Sequence, residues 1–166
     1  MTELYLEIPG EPVGKGRPRF NTQTHRAYTP GKTAKYEALI RMAFHEKYPE
    51  WTATPYPVKI YIRAEYTVPE SWPMRKKLLT WLNITPHKTS KPDLDNILKA
   101  ALDALNKVVW LDDAQVVQIG ISKAYEARNR LLIHIEECKP DEKLTVLSTK
   151  ELKQMLKEQE EEDEQD

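Results

Sequence analysis

The chain has 166 residues, 40% of them hydrophobic and 31% charged, which suits one globular domain and excludes a fibrous or disordered chain. No apolar run approaches the ~20 residues of a membrane span, the opening MTELYLEIPGEP has early acids and no apolar signal core, and the single Cys138 excludes an intrachain disulfide and a Cys-rich zinc site. The net charge of −1 conceals two opposed segments: residues 1–138 hold 20 Lys and Arg against 16 Asp and Glu, and residues 139–166 hold 5 against 10.

A cytoplasmic protein is expected. LYLEI (4–8) alternates and stops at Pro9-Gly10, which predicts a short strand. GKGRPRF follows, its glycines and proline keeping the backbone irregular while Lys15, Arg17 and Arg19 are presented outward. From Lys15 to Lys35 there are six bases and no acid. HRAYT reads as a second short strand. Tyr36, Leu39, Ile40, Ala43 and Phe44 recur at helical spacing, giving an amphipathic helix over 33–48 closed by Pro49. PVKIYIRAEYTV is the clearest half-buried strand. Ser71 is placed to cap a helix through MRKKLLTWL, and NITPHKTSK reads as loop. Lys91 precedes proline and is pushed toward extended geometry. Leu94, Ile97, Leu98, Ala101, Leu102 and Leu105 then form an apolar stripe on a helix of about three turns. QVVQIGISKAY and RLLIHIEE predict two strands joined as a hairpin around residues 127–129. At the C-terminal end, Ser148 and Glu151 have capping-box spacing, with Leu147 and Leu152 placed as a staple. The helix they start is expected to dissolve into EQEEEDEQD, which has seven acids in nine residues.

The sequence KPDLDNILKA raises a sharper question. Asp95 and Asn96 are favoured N-cap residues, and Asp95, Lys99 and Asp103 lie four apart, so the acids can be read as caps and an exposed ladder of ion pairs. The alternative is a metal site. A cap needs one acid, which leaves Asp93 without a task, and a second pair, Asp112-Asp113, follows the same helix. A chain folding back would bring Asp113 near Asp93 and Asp95. Clustered carboxylates repel unless a cation holds them, and oxygen-only ligands suit Mg²⁺ or Mn²⁺. With Lys99 one turn away, such a site has the equipment to hydrolyse a phosphodiester. The basic segment from Lys15 and the loop His87–Lys91, with Lys88 and Lys91, would supply phosphate contacts on either side, which suggests nucleic acid.

These residues resemble those of a known family. KPDLDNILKAALDALN with VWLDDAQV, together with GKGRPRF, HRAYTP, SWPMRKK, HKTSKPD and Lys123 in SKAY, is similar to the signature of the RusA family of Holliday-junction resolvases, typically encoded by phages and prophages. The resemblance spans about residues 3–137. It implies an α+β fold: a small single domain with a mixed sheet packed by helices, working as a homodimer on branched DNA such as four-way junctions and needing Mg²⁺ or Mn²⁺. By position it makes Asp93, Asp95 and Asp113 the essential acids and Lys99 the essential lysine, with Asp112 a supporting or turn residue. The implied nuclease domain covers 1–138, and 139–166 forms a C-terminal extension with a short helix and a disordered acidic tail. A nuclease of the same chemistry preferring forks, or a branched-DNA-binding protein without catalysis, are the alternative readings.

Overall fold

Alternation of apolar and polar residues builds the sheet. β1 (Thr2–Pro9) buries Leu4, Leu6 and Ile8; β4 (Val58–Tyr66) buries Val58, Ile60, Ile62 and Ala64; β6 (Arg130–Glu137) buries Leu131, Ile133 and Ile135. In the computed structural model, residues 2–16, 31–85, 87–141 and 145–158 are described with their side chains, and 19–21, 26–28 and 159–163 by backbone alone. β5 (Val116–Tyr125) completes a four-stranded sheet of order β1-β6-β4-β5. The pairs β1/β6 and β6/β4 are antiparallel, whereas β4/β5 is parallel, so the sheet is mixed. β2 (Arg19–Asn21) and β3 (Arg26–Tyr28) pair antiparallel as a separate ribbon within the basic segment.

Two helices cover one face. α1 (Gly31–Lys47) contributes Tyr36, Ile40 and Phe44 to the core, and α3 (Leu94–Leu105) contributes Ile97, Ala101, Ala104 and Leu105. The buried stripe of α3 runs through alanines where the sequence suggested leucines; Leu94, Leu98 and Leu102 are only half-buried. The small side chains let the helix lie close to the sheet. On α1, Leu39 is exposed and Glu37 takes the buried position. On the opposite sheet face Tyr5 and His134 stack with ring centroids 4.3 Å apart, and Tyr61 follows at 5.6 Å from His134.

Three local expectations are corrected. α2 (Met74–Trp81) begins behind Pro73, whose carbonyl accepts the amides of Lys76 and Lys77; Ser71 is not its cap. β5 and β6 form no hairpin, because β4 lies between them. A four-residue connection is long enough to step over one strand, and it is anchored on the end of β4: Glu126 N–H donates to the Tyr66 carbonyl at 2.8 Å, and Asn129 Oδ1 accepts from Thr67 N–H at 2.7 Å. Third, α4 (Thr149–Asp163) continues into the acidic run; residues 164–166 lie outside the described residues. Glutamate and glutamine are good helix formers, and the expected capping box starts the helix, with Ser148 N–H donating to Glu151 at 2.8 Å. No helix among the described residues is long and apolar enough to cross a membrane.

Ile60 is fully buried at the centre of the sheet. Ile60→Ala is expected to destabilise the fold by about 2–5 kcal/mol, read as a lower urea midpoint with an unchanged m-value.

Candidate active site at the head of α3

The turn entering α3 carries a cis Lys91–Pro92 bond and places Asp93, not Asp95, at the N-cap. The Asp93 carbonyl accepts the Ile97 amide at 3.1 Å, but its carboxylate makes no capping hydrogen bond. Asp95 stands in the first turn and Lys99 one turn later; all three side chains are exposed. Among the described residues none of the three is in an ion pair or side-chain hydrogen bond. The ladder from Asp95 to Asp103 does not form either, because Asp103 is held by Lys15 at 2.6 Å. Caps and helix-surface pairs therefore do not account for these charges. Among the described residues, two free carboxylates at the first turn and a free ammonium one turn later face solvent, and the positive end of the helix dipole favours the acids.

The basic loop is bound tightly to this turn. Lys15 N–H donates to the Asn96 carbonyl at 2.7 Å, and a Cβ at Gly14 would lie 2.8 Å from the Pro92 Cβ and 3.0 Å from that of Asn96. Only glycine permits that approach. The result is a shallow surface depression lined by Gly14, Lys15, Lys91, Pro92, Asp93 and Asn96. Lys15 is not presented to a ligand: its ammonium lies 2.6 Å from both Glu37 and Asp103, joining α1 to α3. Burial draws its pKa down, but hydrogen bonds to Asp103 and Glu37 outweigh that and hold it above the ordinary lysine value.

Lys88 also turns inward. It is 9% exposed, and its ammonium donates to the Lys91 carbonyl at 2.6 Å and to Ser90 Oγ at 2.7 Å, 4.6 Å from the centre of the Tyr66 ring. Burial, reinforced by nearby Lys123, lowers its pKa. Where the sequence suggested phosphate contacts, Lys15 and Lys88 each reach acceptors within their own chain. Lys91 remains exposed beside Asp93. The side chains of Arg17 and Arg19 lie outside the described residues.

Asp112 and Asp113 divide their work. Asp112 caps the 3₁₀ turn Asp113–Gln115, accepting the Ala114 amide at 2.9 Å while Gln115 Oε1 accepts the Asp112 amide. Asp113 accepts the indole N–H of buried Trp110 at 2.9 Å. Trp110 in turn bridges to Asn106, the residue that ends α3. Asp93 therefore belongs to the first end of α3 and Asp113 to the segment beyond its last, with the 12-residue helix, about 18 Å long at 1.5 Å per residue, between them. One chain does not bring the three acids together, and among the described residues no group of three His, Cys, Asp or Glu is placed to hold a metal ion. The donor chemistry of Asp93 and Asp95 suits a hard divalent cation.

Sequence reasoning missed the indole that orients Asp113. It also missed the inward role of Lys88, for which a lysine in a polar loop gives no signal. Residues 9–136 match the family model of endodeoxyribonuclease RusA. Among curated proteins the chain is 32% identical over 139 residues to an uncharacterized protein, YqaN, of Bacillus subtilis, covering 81% of this chain and 96% of that protein. It is also 32% identical over 82 residues to a crossover junction endodeoxyribonuclease, rusA, of Lactococcus phage r1t, covering 49% of this chain and 55% of that one. The chain belongs to the endodeoxyribonuclease RusA family.

Replacing Lys15 by Met leaves Glu37 and Asp103 facing each other without a cation, an expected loss of about 1–3 kcal/mol in chemical denaturation at neutral pH. Since folding raises the Lys15 pKa, its contribution is complete below the unfolded value near 10.5 and is lost only as the pH climbs through the higher folded value.

Proposed function

We propose that this protein is a metal-dependent, structure-selective endodeoxyribonuclease that resolves four-way DNA junctions by paired nicks in recombination and repair. The observation that carries the reading is the set of unpaired charges Asp93, Asp95 and Lys99 at the head of α3, within a chain that belongs to a nuclease family. Asp93 and Asp95 would hold Mg²⁺ or Mn²⁺. Bound there, the ion supplies a water of lowered pKa and positive charge for the leaving oxygen. Lys99 offers its ammonium to the charge that develops on the phosphate, and Lys91 a further phosphate contact beside Asp93.

The separation of Asp113 from the other acids supports a homodimer in which each site takes residues from both copies. β5 pairs with β4 along one side; on the other, among the described residues, only His87 bridges to it, at Ala124. Val117 and Ile119 of β5 are exposed, Val117 at 60%. An open apolar edge invites a second strand. Antiparallel joining of β5 to its copy about a two-fold axis would set the Val116 end of one strand beside the Lys123 end of the other. Asp113 of the partner subunit then approaches the turn that carries Asp93 and Asp95.

The first experiment is cleavage of an end-labelled four-way junction, with a fork and a linear duplex alongside, in Mg²⁺ and in EDTA. Symmetric Mg²⁺-dependent nicking of the junction is expected, reduced on the order of 100-fold or more by Asp95→Asn. Preferential cutting of the fork would overturn the substrate assignment, and junction binding without cutting would overturn the nuclease. Mixing Asp95→Asn with Asp113→Asn protein then tests the shared site. Mixed dimers regain one complete site and nick one strand per junction, whereas sites complete within one chain leave the mixture inactive.

A further inference from the structure

We infer that Lys88 and Lys123 are positioning residues that together fix the turn on which Asp93 and Asp95 are mounted. The three carbonyls immediately before Asp93 are all held by these two ammonium groups. Lys123, on β5, donates to the Ser90 carbonyl at 2.9 Å and to the Pro92 carbonyl at 2.8 Å. Lys88 reaches the Ser90 carbonyl at 3.3 Å as well as Ser90 Oγ and the Lys91 carbonyl. All three donors of Lys88 are thereby used inside the chain. Gathering two cations on one turn is electrostatically costly, and here the burden falls on three backbone carbonyl dipoles and the Tyr66 ring rather than on a carboxylate. The acids next door are left unpaired as a result.

Tyr66 extends the assembly, because its hydroxyl donates to the Pro12 carbonyl at 3.1 Å, just before the loop that abuts Pro92. The sheet thus reaches the acid-bearing turn through Lys123 on β5 and through Tyr66 on β4. A metal pair needs its carboxylates held to a fraction of an ångström, and outer contacts of this kind provide that.

The inference rests on the proposed nuclease reading, and the test separates the two. Wild type, Lys123→Met and Lys88→Met are compared by single-turnover junction cleavage at saturating Mg²⁺, by junction binding in EDTA, and by hydrogen exchange of the Ile97 and Lys15 amides. Lys123 is the safer variant, since its side chain is only half-buried. The expected result for Lys123→Met is a cleavage rate lowered about tenfold or more, with junction affinity changed less than about threefold. The Ile97 and Lys15 amides should exchange faster while those of Ile62 and Ile133 keep their protection. Weakened binding with an intact rate would make the lysines phosphate contacts and overturn the inference. Unchanged exchange at Ile97 and Lys15 would also overturn it, since the turn would then hold without them. If wild type cuts no DNA with Mg²⁺ or Mn²⁺, the nuclease reading fails, and the exchange comparison still decides whether the lysines order the turn.

Discussion

Parallel pairing of β4 with β5 is the constraint on which the rest depends. Parallel neighbours cannot be joined by a tight turn, so the chain leaving Tyr66 must travel back across a face of the sheet before β5 begins. α3 is the return segment. It runs opposite to both strands, which puts its first turn at their C-terminal ends, beside Lys123, and its last turn at their N-terminal ends, beside Trp110. The C-terminal end of this parallel pair lies beside the turn that carries Asp93 and Asp95, with Lys99 one turn further on. The same geometry also moves Asp113 away from them, because it lies on the segment that must reach the start of β5.

The proposed sharing of the site between two copies would tie activity to symmetry. If each metal needs acids from two chains, a lone subunit cannot cut, and a two-fold dimer presents two sites related as are the equivalent strands of a four-way junction. Paired nicking then follows from assembly rather than from a separate control. The indole of Trp110 fits this logic. It fixes the Asp113 carboxylate on the segment beyond the far end of α3.

The strands and helices were legible because their burial is one-sided. Leu4, Leu6 and Ile8 alternate, and Tyr36, Ile40 and Phe44 recur at helical spacing, so each element announces which face it buries. The order of strands was not legible. RLLIHIEE follows QVVQIGISKAY closely enough for a hairpin, and local spacing contains no term for the gain from seating β4, the most fully buried strand, between them. The expected cap at Ser71 failed for a related reason, since Pro73 fixes its own backbone angle and starts the helix two residues later.

The charges were legible as a set but not one by one. The sequence showed six bases without an acid from Lys15 to Lys35, yet nothing in it distinguishes a lysine facing solvent from one facing fixed oxygen atoms. Lys88 reaches the Ser90 and Lys91 carbonyls of its turn, and Lys15 reaches the carboxylates of Glu37 and Asp103. A lysine there lowers its free energy more by replacing lost water with fixed oxygen atoms than by extending into solvent. Among the described residues Lys91 and Lys99 have no such partner, and both are exposed. The division follows from which lysines have fixed oxygen atoms, carbonyl or carboxylate, to bind. The inward lysines rigidify the acid-bearing turn, and the outward ones remain free for a polyanion.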